Sequence, residues 1–508
     1  MLSLALLSPL PPARSGIADY TAMLLPGLAA RFDLTCVVNQ PRVDEVAARV
    51  IPIEEFEPGG FDRVVCQMGN NPYHEFVYRY AIARPSIVVL HDFVLQHLIV
   101  EMTLARGDAE GYMDILERNH GAAGRAWAAS RVAGIHEELG NFLFPSSIEL
   151  AASSQAVIVH NRWAAERLEE YGVRAPIHVI GHPHLPLEGG RSREEVRRAL
   201  GARDDERWVG MFGFVTAAKR PEVVFEAFAR AHAKDANLRL LVVGEPSPNI
   251  DLQRIAHSAG LAPDVWNVTG YVSDLEFVES LAAVDRIVNL RYPTAGETSG
   301  PLIKILAAGK PVAVSDYAQF GELPRAVVSR IPFGEGEIPS LVEFMLDDED
   351  RDEARAARRK WVELNASLER AVDDYTRIIR DATDGPVGRS RPAGGGWALF
   401  PHIAVNLIEA VAGLDGRVVR ISVRNEGNAS VRSALWGEPG YRLVLKALSG
   451  ETVLFDRWIA LPGDLAPDSV AELELSIPLE AELLTLEHAL EGIPTAPAPP
   501  FARLEIPR

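Results

Sequence analysis

The chain has 508 residues, 47% hydrophobic and 24% charged, an ordinary globular composition with room for about two to four domains. Its formal net charge of −19 argues against nucleic acid as the main partner and against strong global attraction to anionic lipid, while leaving a local basic patch open. The opening M-L-S-L-A-L-L-S-P-L-P-P lacks a basic n-region and has too few apolar residues to span a bilayer. No later run reaches about 18 uninterrupted apolar residues, so no transmembrane segment is expected and the cytoplasm is the default.

Residues 1–185 alternate short apolar runs with helical ones. Leu2–Leu7 reads as a strand, followed by a long turn through Pro9, Pro11, Pro12 and Gly16 and a helix from Ile17 to Phe32. Leu34–Val38, Asp62–Gln67, Ile87–Leu90 and Ala156–His160 read as further strands. Residues 97–150 read as mostly helical, most clearly over Gly124–Leu139, and Arg162–Tyr171 reads as a helix. The only two cysteines, Cys36 and Cys66, fall in apolar strand-like runs. That is the setting of buried free thiols and gives no disulfide or zinc framework. Strand–helix alternation predicts a parallel sheet covered by helices on both faces.

Pro183 to Gly190 marks a boundary, and a second series follows. Arg207–Phe212 is a predicted strand, Gly213 to Pro221 a loop and Val223–Ala233 an amphipathic helix. Leu238–Val243 and Val265–Gly270 are predicted strands, with a helix at Asp274–Ala283. Asp285–Leu290 then ends in a polar turn carrying Glu297, a short apolar helix over Pro301–Ala308, a Gly309 stop and a strand from Pro311 to Val314. This is a βαβ unit with a carboxylate in its turn, beside helix N-terminal N–H groups. It suits an anionic group next to a hydroxyl-rich one, such as a sugar diphosphate. Two Rossmann-like series in tandem predict ligand binding at the carboxyl ends of strands, in an interdomain cleft.

Asp347–Asp381 is charged and helical, and G-P-V-G-R-S-R-P-A-G-G-G reads as a linker. Beyond it the pattern turns to period two. Val418–Asn425, Tyr441–Ala447, Thr452–Trp458, Ala471–Pro478 and Phe501–Pro507 predict a small antiparallel β-sandwich, with Glu480–Leu490 more helical than strand-like.

Four of these pieces, in this order, resemble a retaining glycosyltransferase of family 4. They are Arg14-Ser15-Gly16 after the first strand; Val88-Val89-Leu90-His91-Asp92; Phe212-Gly213-Phe214 through Lys219-Arg220-Pro221; and Glu297 through Gly309-Lys310-Pro311-Val312. The resemblance covers roughly residues 1–382 and implies an α/β GT-B fold, two Rossmann-like domains facing a cleft. Here a small all-β, Ig-like sandwich follows. The expected division is an acceptor-side domain over 1–186, a nucleotide-sugar-binding domain over 187–350 and a helical segment packing back on the pair over 351–383. A linker over 384–397 and an accessory sandwich over 398–508 complete it.

What the resemblance implies for residues follows the matched positions. Lys219 and Arg220 would neutralise the departing diphosphate, with Gly16 and Gly213 letting backbone approach it. N–H groups near Ser299, Gly300 and Leu302 would add helix-dipole stabilisation. Glu297 would hold donor sugar hydroxyls, and His91 would lie beside the reacting sugar. Gly270, Tyr271 and Val272 match where the family seats the base. Lys304 occupies the place of the family's ribose-binding carboxylate, and Phe214 that of an arginine; a lysine accepts no hydrogen bond from ribose. Asp19 is left unassigned, and Asn70 and Asn71 read as a turn in preference to acceptor contacts. His120, His160, His182 and His184 show no metal spacing, and neither metal nor other cofactor is expected.

The expected activity is transfer of a sugar from a nucleotide-diphosphate sugar to a glycan, lipid-linked or protein acceptor. Retention of configuration is implied, within bacterial surface polysaccharide or glycoconjugate synthesis. Peripheral contact with the inner face of the membrane, and partner binding through the sandwich, are left open. The alternative is an inactive relative that binds glycan or protein. A nucleotide-sugar 2-epimerase fits less well, because it uses other carboxylates and carries no sandwich.

Overall fold

The computed structural model describes residues 1–135, 140–187, 189–334 and 336–383, and in the C-terminal part 403–412, 416–426, 431, 441–461, 465, 468–490 and 502–507. The expected linker over 384–397 lies outside the described residues, as do positions 136–139 of the helix expected to end at Leu139.

The first domain carries a seven-stranded parallel sheet in the order β3-β2-β1-β4-β5-β6-β7. Its strands are β1 Ser3–Leu7, β2 Asp33–Val38, β3 Arg49–Pro52, β4 Arg63–Met68, β5 Ile87–Leu90, β6 Ala156–Val159 and β7 Ile177–Val179. β5 and β6 are buried at every residue, as expected for strands covered on both faces, and their sequences are accordingly unbroken apolar runs. The edge strands β3 and β7 are short, and neither was expected from periodicity. The helix expected over 124–139 is part of a longer one, Ala109–Val132, interrupted at Gly121 where φ is 66°.

The second domain repeats the plan with six parallel strands ordered β10-β9-β8-β11-β12-β13. They are β8 Arg207–Phe212, β9 Leu238–Val243, β10 Trp266–Val268, β11 Arg286–Asn289, β12 Val312–Ser315 and β13 Ser329–Ile331. In both sheets the strand order reverses beside the first strand, between β1 and β4 and between β8 and β11. Loops leaving the carboxyl ends of these neighbours diverge there and open a crevice.

The charged segment expected as helical from Asp347 to Asp381 is two helices, Asp352–Asn365 and Leu368–Asp381. The second begins at Ser367, whose side chain accepts the Arg370 N–H at 3.3 Å. The first of the two adds Val362 to the core of the second domain, and Arg358 donates from Nε to the Gly309 carbonyl at 2.8 Å. The second returns to the first domain. It buries Ala371, Val372, Tyr375, Ile378 and Ile379 against Tyr20, Leu24, Leu25 and Leu28 of the Gly16–Ala29 helix. The Tyr20 and Tyr375 hydroxyls hydrogen-bond at 2.8 Å. A Cβ at Gly27 would stand 2.7 Å from Val372 Cγ2, so glycine is what lets the two helices approach. The chain thus crosses between domains twice, at 181–184 and 365–367, and the crossings touch: the His184 N–H donates to the Ala366 carbonyl at 3.0 Å.

Beyond residue 403 lie two antiparallel sheets, β14-β15-β18 and β17-β16-β19-β20. Their strands are β14 Ile403–Ala412, β15 Arg417–Asn425, β16 Tyr441–Ser449, β17 Thr452–Ala460, β18 Val470–Ile477, β19 Leu483–Leu490 and β20 Ala502–Glu505. Val419, Ile421 and Val423 of one sheet and Leu443, Leu445, Leu484 and Leu486 of the other share a core drawn only from this region. The expected helix over Glu480–Leu490 is instead strand β19, paired with β16 and β20. Its Leu, Glu and Ala content favours a helix. The position between two strands decides otherwise, with Leu484 and Leu486 both fully buried. Strand β14 was unexpected for the same compositional reason.

Candidate functional site

The loops after β8 and β11 meet at the crevice of the second sheet. Gly213 leaves β8 with φ 83°, in the left-handed region, and a Cβ built on it would stand 2.7 Å from Lys219 Nζ and 3.1 Å from Pro301 Cγ. Glycine is therefore required twice, by the turn and by the lysine that lies against it. Lys219 is 5% exposed and its ammonium donates to the Phe212 carbonyl. Burial, with the nearby Arg291 charge adding, pushes it well below the ordinary lysine range, while Glu297 pulls the other way.

Glu297 sits in the turn between β11 and the Gly300–Ala307 helix. Its Oε2 accepts from Thr294 Oγ1 and from the Ala295 N–H, each at 3.0 Å. Arg291 Nε stands 2.9 Å from its Oε1. Gln319 donates to the Glu297 carbonyl at 2.8 Å and to Thr294 Oγ1 at 2.7 Å, so the turn is fixed from beneath. Ser299 caps the helix that follows, its Oγ accepting the Leu302 N–H at 3.3 Å. That N–H is held by the cap, which moves the expected dipole contact towards Gly300, whose Cα faces open space.

Three expected residues are arranged differently from the sequence reading. Arg220, expected as a phosphate cation, makes a two-pronged ion pair with Glu337, Nε to Oε1 at 2.9 Å and Nη2 to Oε2 at 2.6 Å, and lies over the Phe333 ring. The cation that joins Lys219 and Glu297 is Arg291, which the sequence reading did not single out. Lys304 is paired with Asp274 at 2.6 Å, with its ammonium over the Phe277 ring. His91, expected at the cleft, is buried: its Nε2 bonds Gln67 Oε1 at 2.7 Å, and its ring packs against Tyr20 and His160, which in turn hold His182. Burial, followed by the neighbouring histidines, holds it well below the ordinary histidine range, so it is a neutral ring in a packed cluster.

The remaining positions lie in loops and at helix starts. Gly16 is the first residue of its helix, capped by Ser15, and a Cβ on it would meet nothing within 4 Å. Arg14 beside it stands 5.4 Å from the Tyr271 ring centroid, across the domain boundary. Gly270 has φ 71°, Tyr271 is 70% exposed, and Val272 packs against the core beneath. Phe214 is 55% exposed. Asn70 serves the turn: its N–H donates to Asp92 and its Oδ1 accepts the Leu98 N–H. Asn71 caps the next turn.

The two domains touch through specific polar contacts. The Val94 N–H donates to the Ala295 carbonyl at 2.9 Å, and Asn161 Nδ2 to the Gly296 carbonyl at 2.9 Å. Two doubly crossed Rossmann-like domains thus face each other, with loops of the second carrying the charged groups.

Known proteins share this fold. The sucrose-phosphate synthase of Thermosynechococcus elongatus superposes with a TM-score of 0.54, at 15% identity, covering 75% of this chain and 98% of that one. The fold is GT-B. HepE of Anabaena, solved with UDP and glucose, gives a TM-score of 0.52 at 14% identity, over 75% of this chain and 100% of its own. Residues 206–345 match the family model for glycosyl transferases group 1, so the match lies on the second GT-B domain. The D-inositol 3-phosphate glycosyltransferase of Mycobacterium marinum is 32% identical over 161 residues, which are 30% of this chain and 32% of that protein. The chain therefore spans about a third of the length of this curated relative. Among the described residues no helix is long and apolar enough to cross a membrane, and no three or more His, Cys, Asp or Glu side chains form a metal-binding group.

Proposed function

We propose that the protein is a glycosyltransferase that moves a sugar from a nucleotide-diphosphate sugar to a glycan, lipid-linked or protein acceptor, with retention of anomeric configuration. The observation that carries the reading is the convergence of Lys219, Arg291, Glu297 and the start of the Gly300–Ala307 helix at one crevice. Breaking the anomeric bond drives charge onto a departing diphosphate, and cations with aimed N–H dipoles stabilise it. Arg291 supplies one cation and Lys219 a second once the charge of the diphosphate offsets its burial, Gly213 lets backbone approach, and Glu297 accepts hydrogen bonds from sugar hydroxyls. Tyr271 at the rim offers a face for the base. No metal takes part in this scheme. In a retaining route the leaving phosphate itself takes the acceptor proton, so no pair of glycosidase-type carboxylates is needed.

The match of residues 206–345 to glycosyl transferases group 1 supports the reaction class, and the UDP and glucose held by HepE support the donor class. We place the protein in the cytoplasm, peripheral to the inner face of the membrane, in synthesis of a bacterial surface glycan. The C-terminal β region is assigned to acceptor or partner binding. One observation favours a second reading, a nucleotide-binding protein without transfer: Arg220 and Lys304 are both tied up in internal ion pairs.

The deciding experiment incubates purified protein with a panel of UDP-, GDP- and dTDP-sugars. It follows donor hydrolysis and transfer, with product anomers assigned by NMR. Release of nucleoside diphosphate from one donor is expected. Tight nucleotide binding with no turnover across the panel would establish the second reading.

A further inference from the structure

Asp92 belongs to no ion pair among the described residues, although it stands where the two domains meet. It follows β5 directly. Its Oδ2 accepts the Asn70 N–H at 2.8 Å, and Asn70 is in turn fixed by the Leu98 N–H at 3.0 Å. Among the described residues it makes no other hydrogen bond, so its second oxygen is not used by the protein. The next two residues dock on the second domain. Val94 donates from its N–H to the Ala295 carbonyl at 2.9 Å, and Phe93 Cβ lies 2.7 Å from where a Cβ on Gly296 would be. Asp92 precedes this docked pair in one domain and Glu297 follows it in the other. The two carboxylates therefore flank a single contact, near enough to act on each other electrostatically.

Two partly buried carboxylates side by side cost stability unless something offsets the repulsion. Glu297 has Arg291 beside it at 2.9 Å, whereas Asp92 has one backbone N–H and only the more distant pull of the same arginine. A group that offers several hydroxyl donors together is what such a pair accepts, and a pyranose ring carries them at neighbouring carbons. Burial, then the Glu297 charge, pushes the Asp92 carboxyl up to about 7. It is thus able both to accept from a hydroxyl and to donate to one near neutral pH.

We infer that Asp92 is a sugar-holding residue of the donor site, gripping hydroxyls of the transferred sugar from the first domain while Glu297 grips the same ring from the second. The inference rests on the donor-site reading above, and it assigns sugar recognition to a residue outside the segment matched by the family model, 206–345.

The test is calorimetric binding of UDP-glucose and of UDP to wild-type protein and to Asp92→Asn, with GDP-mannose and GDP as a second pair. Asparagine keeps an oxygen for the Asn70 N–H, so the loop stays in place, and an unchanged melting temperature checks this. The expected result is at least a tenfold loss of affinity for the sugar nucleotide that wild type binds, with its sugar-free diphosphate unchanged within twofold. Equal affinity of variant and wild type for both members of the pair overturns the inference while leaving the donor reading intact. A parallel loss for both members also overturns it, since that would make Asp92 a structural or nucleotide-side residue. Wild-type protein that binds no member of either pair, nor dTDP-glucose or dTDP, overturns the donor reading, and the inference with it.

Discussion

Glu322, in the short turn after β12 of the second domain, caps a helix of the first: its Oε1 accepts the Trp163 N–H at 2.5 Å and its Oε2 the Arg162 N–H at 3.1 Å. The helix already has its own cap, since Asn161 Oδ1 accepts the Ala164 N–H at 2.8 Å. The Glu322 contact is therefore a tie between domains added to a helix that stands without it. Glu322→Ala is expected to leave helix content unchanged by circular dichroism, cost about 1 kcal/mol in unfolding, and raise the radius of gyration measured by small-angle scattering. An unaltered scattering profile would show that the tie does not hold the cleft.

Glu297→Ala removes a carboxylate in a polar turn, 26% exposed and outside any apolar core. Transfer is expected to vanish while the melting temperature moves by no more than a few degrees. Wild-type rates in this variant would refute the assignment of Glu297.

Gly213→Ala puts a methyl against Lys219 Nζ and forces an L-residue to φ 83°. The backbone cost is about 1–2 kcal/mol, and the lysine must leave its seat. Donor turnover is expected to fall by tenfold or more with a modest loss of stability. A variant with full turnover would place Lys219 outside the chemistry.

Lys219 and Arg220 are adjacent in sequence and should separate in experiment. Lys219→Ala should cost roughly 2–4 kcal/mol of transition-state stabilisation, read as a fall in kcat/KM. Arg220→Ala strands Glu337, whose side chain is 6% exposed, and breaking such a buried pair costs about 3–5 kcal/mol of stability. The expected readout is a large drop in urea midpoint for Arg220→Ala and a small one for Lys219→Ala. The reverse pattern would reinstate Arg220 as the phosphate cation.

Acid should unfold the first domain early. His74 and His160 are buried, and burial lowers them to about 4 and about 3, below the ordinary value of 6.5. They are neutral in the fold, and the unfolded chain binds protons first as pH falls through 6.5. Stability is therefore complete above that value and declines towards pH 4, by on the order of 2 kcal/mol per histidine at pH 5. Urea melts at pH 7.5 and pH 5 measure the difference, and equal midpoints would contradict it.

Much of the fold was legible because β5 and β6 are buried on both faces and so are written as unbroken apolar runs. β7 has three residues at a sheet edge and leaves no such trace. β19 misled because Leu-Leu-Thr-Leu-Glu-His-Ala-Leu has helical composition, and only its flanking strands make it extended. At the site, Gly213, Lys219 and Glu297 were visible as residues just past strand ends. Their partners were not. Arg220 meets Glu337 from 117 positions away, and Asp92 comes within electrostatic reach of Glu297 only because two domains pack together. His91 shows the limit from the other side. A histidine ending a strand reads the same whether its ring faces a cleft or turns inward onto Gln67.

The helix Leu368–Asp381 has a consequence for how the protein is made. Tyr375, Ile378 and Ile379 complete the core around Tyr20 and Leu24, so the first of the two Rossmann-like domains is finished only after the second has been made. While the whole second domain is being synthesised, the unfinished face of the Gly16–Ala29 helix must wait, its apolar side exposed to solvent or to a chaperone. A ribosome stalled anywhere before residue 380 would carry a first domain with that face open. That face is covered only when the Leu368–Asp381 helix emerges and folds back.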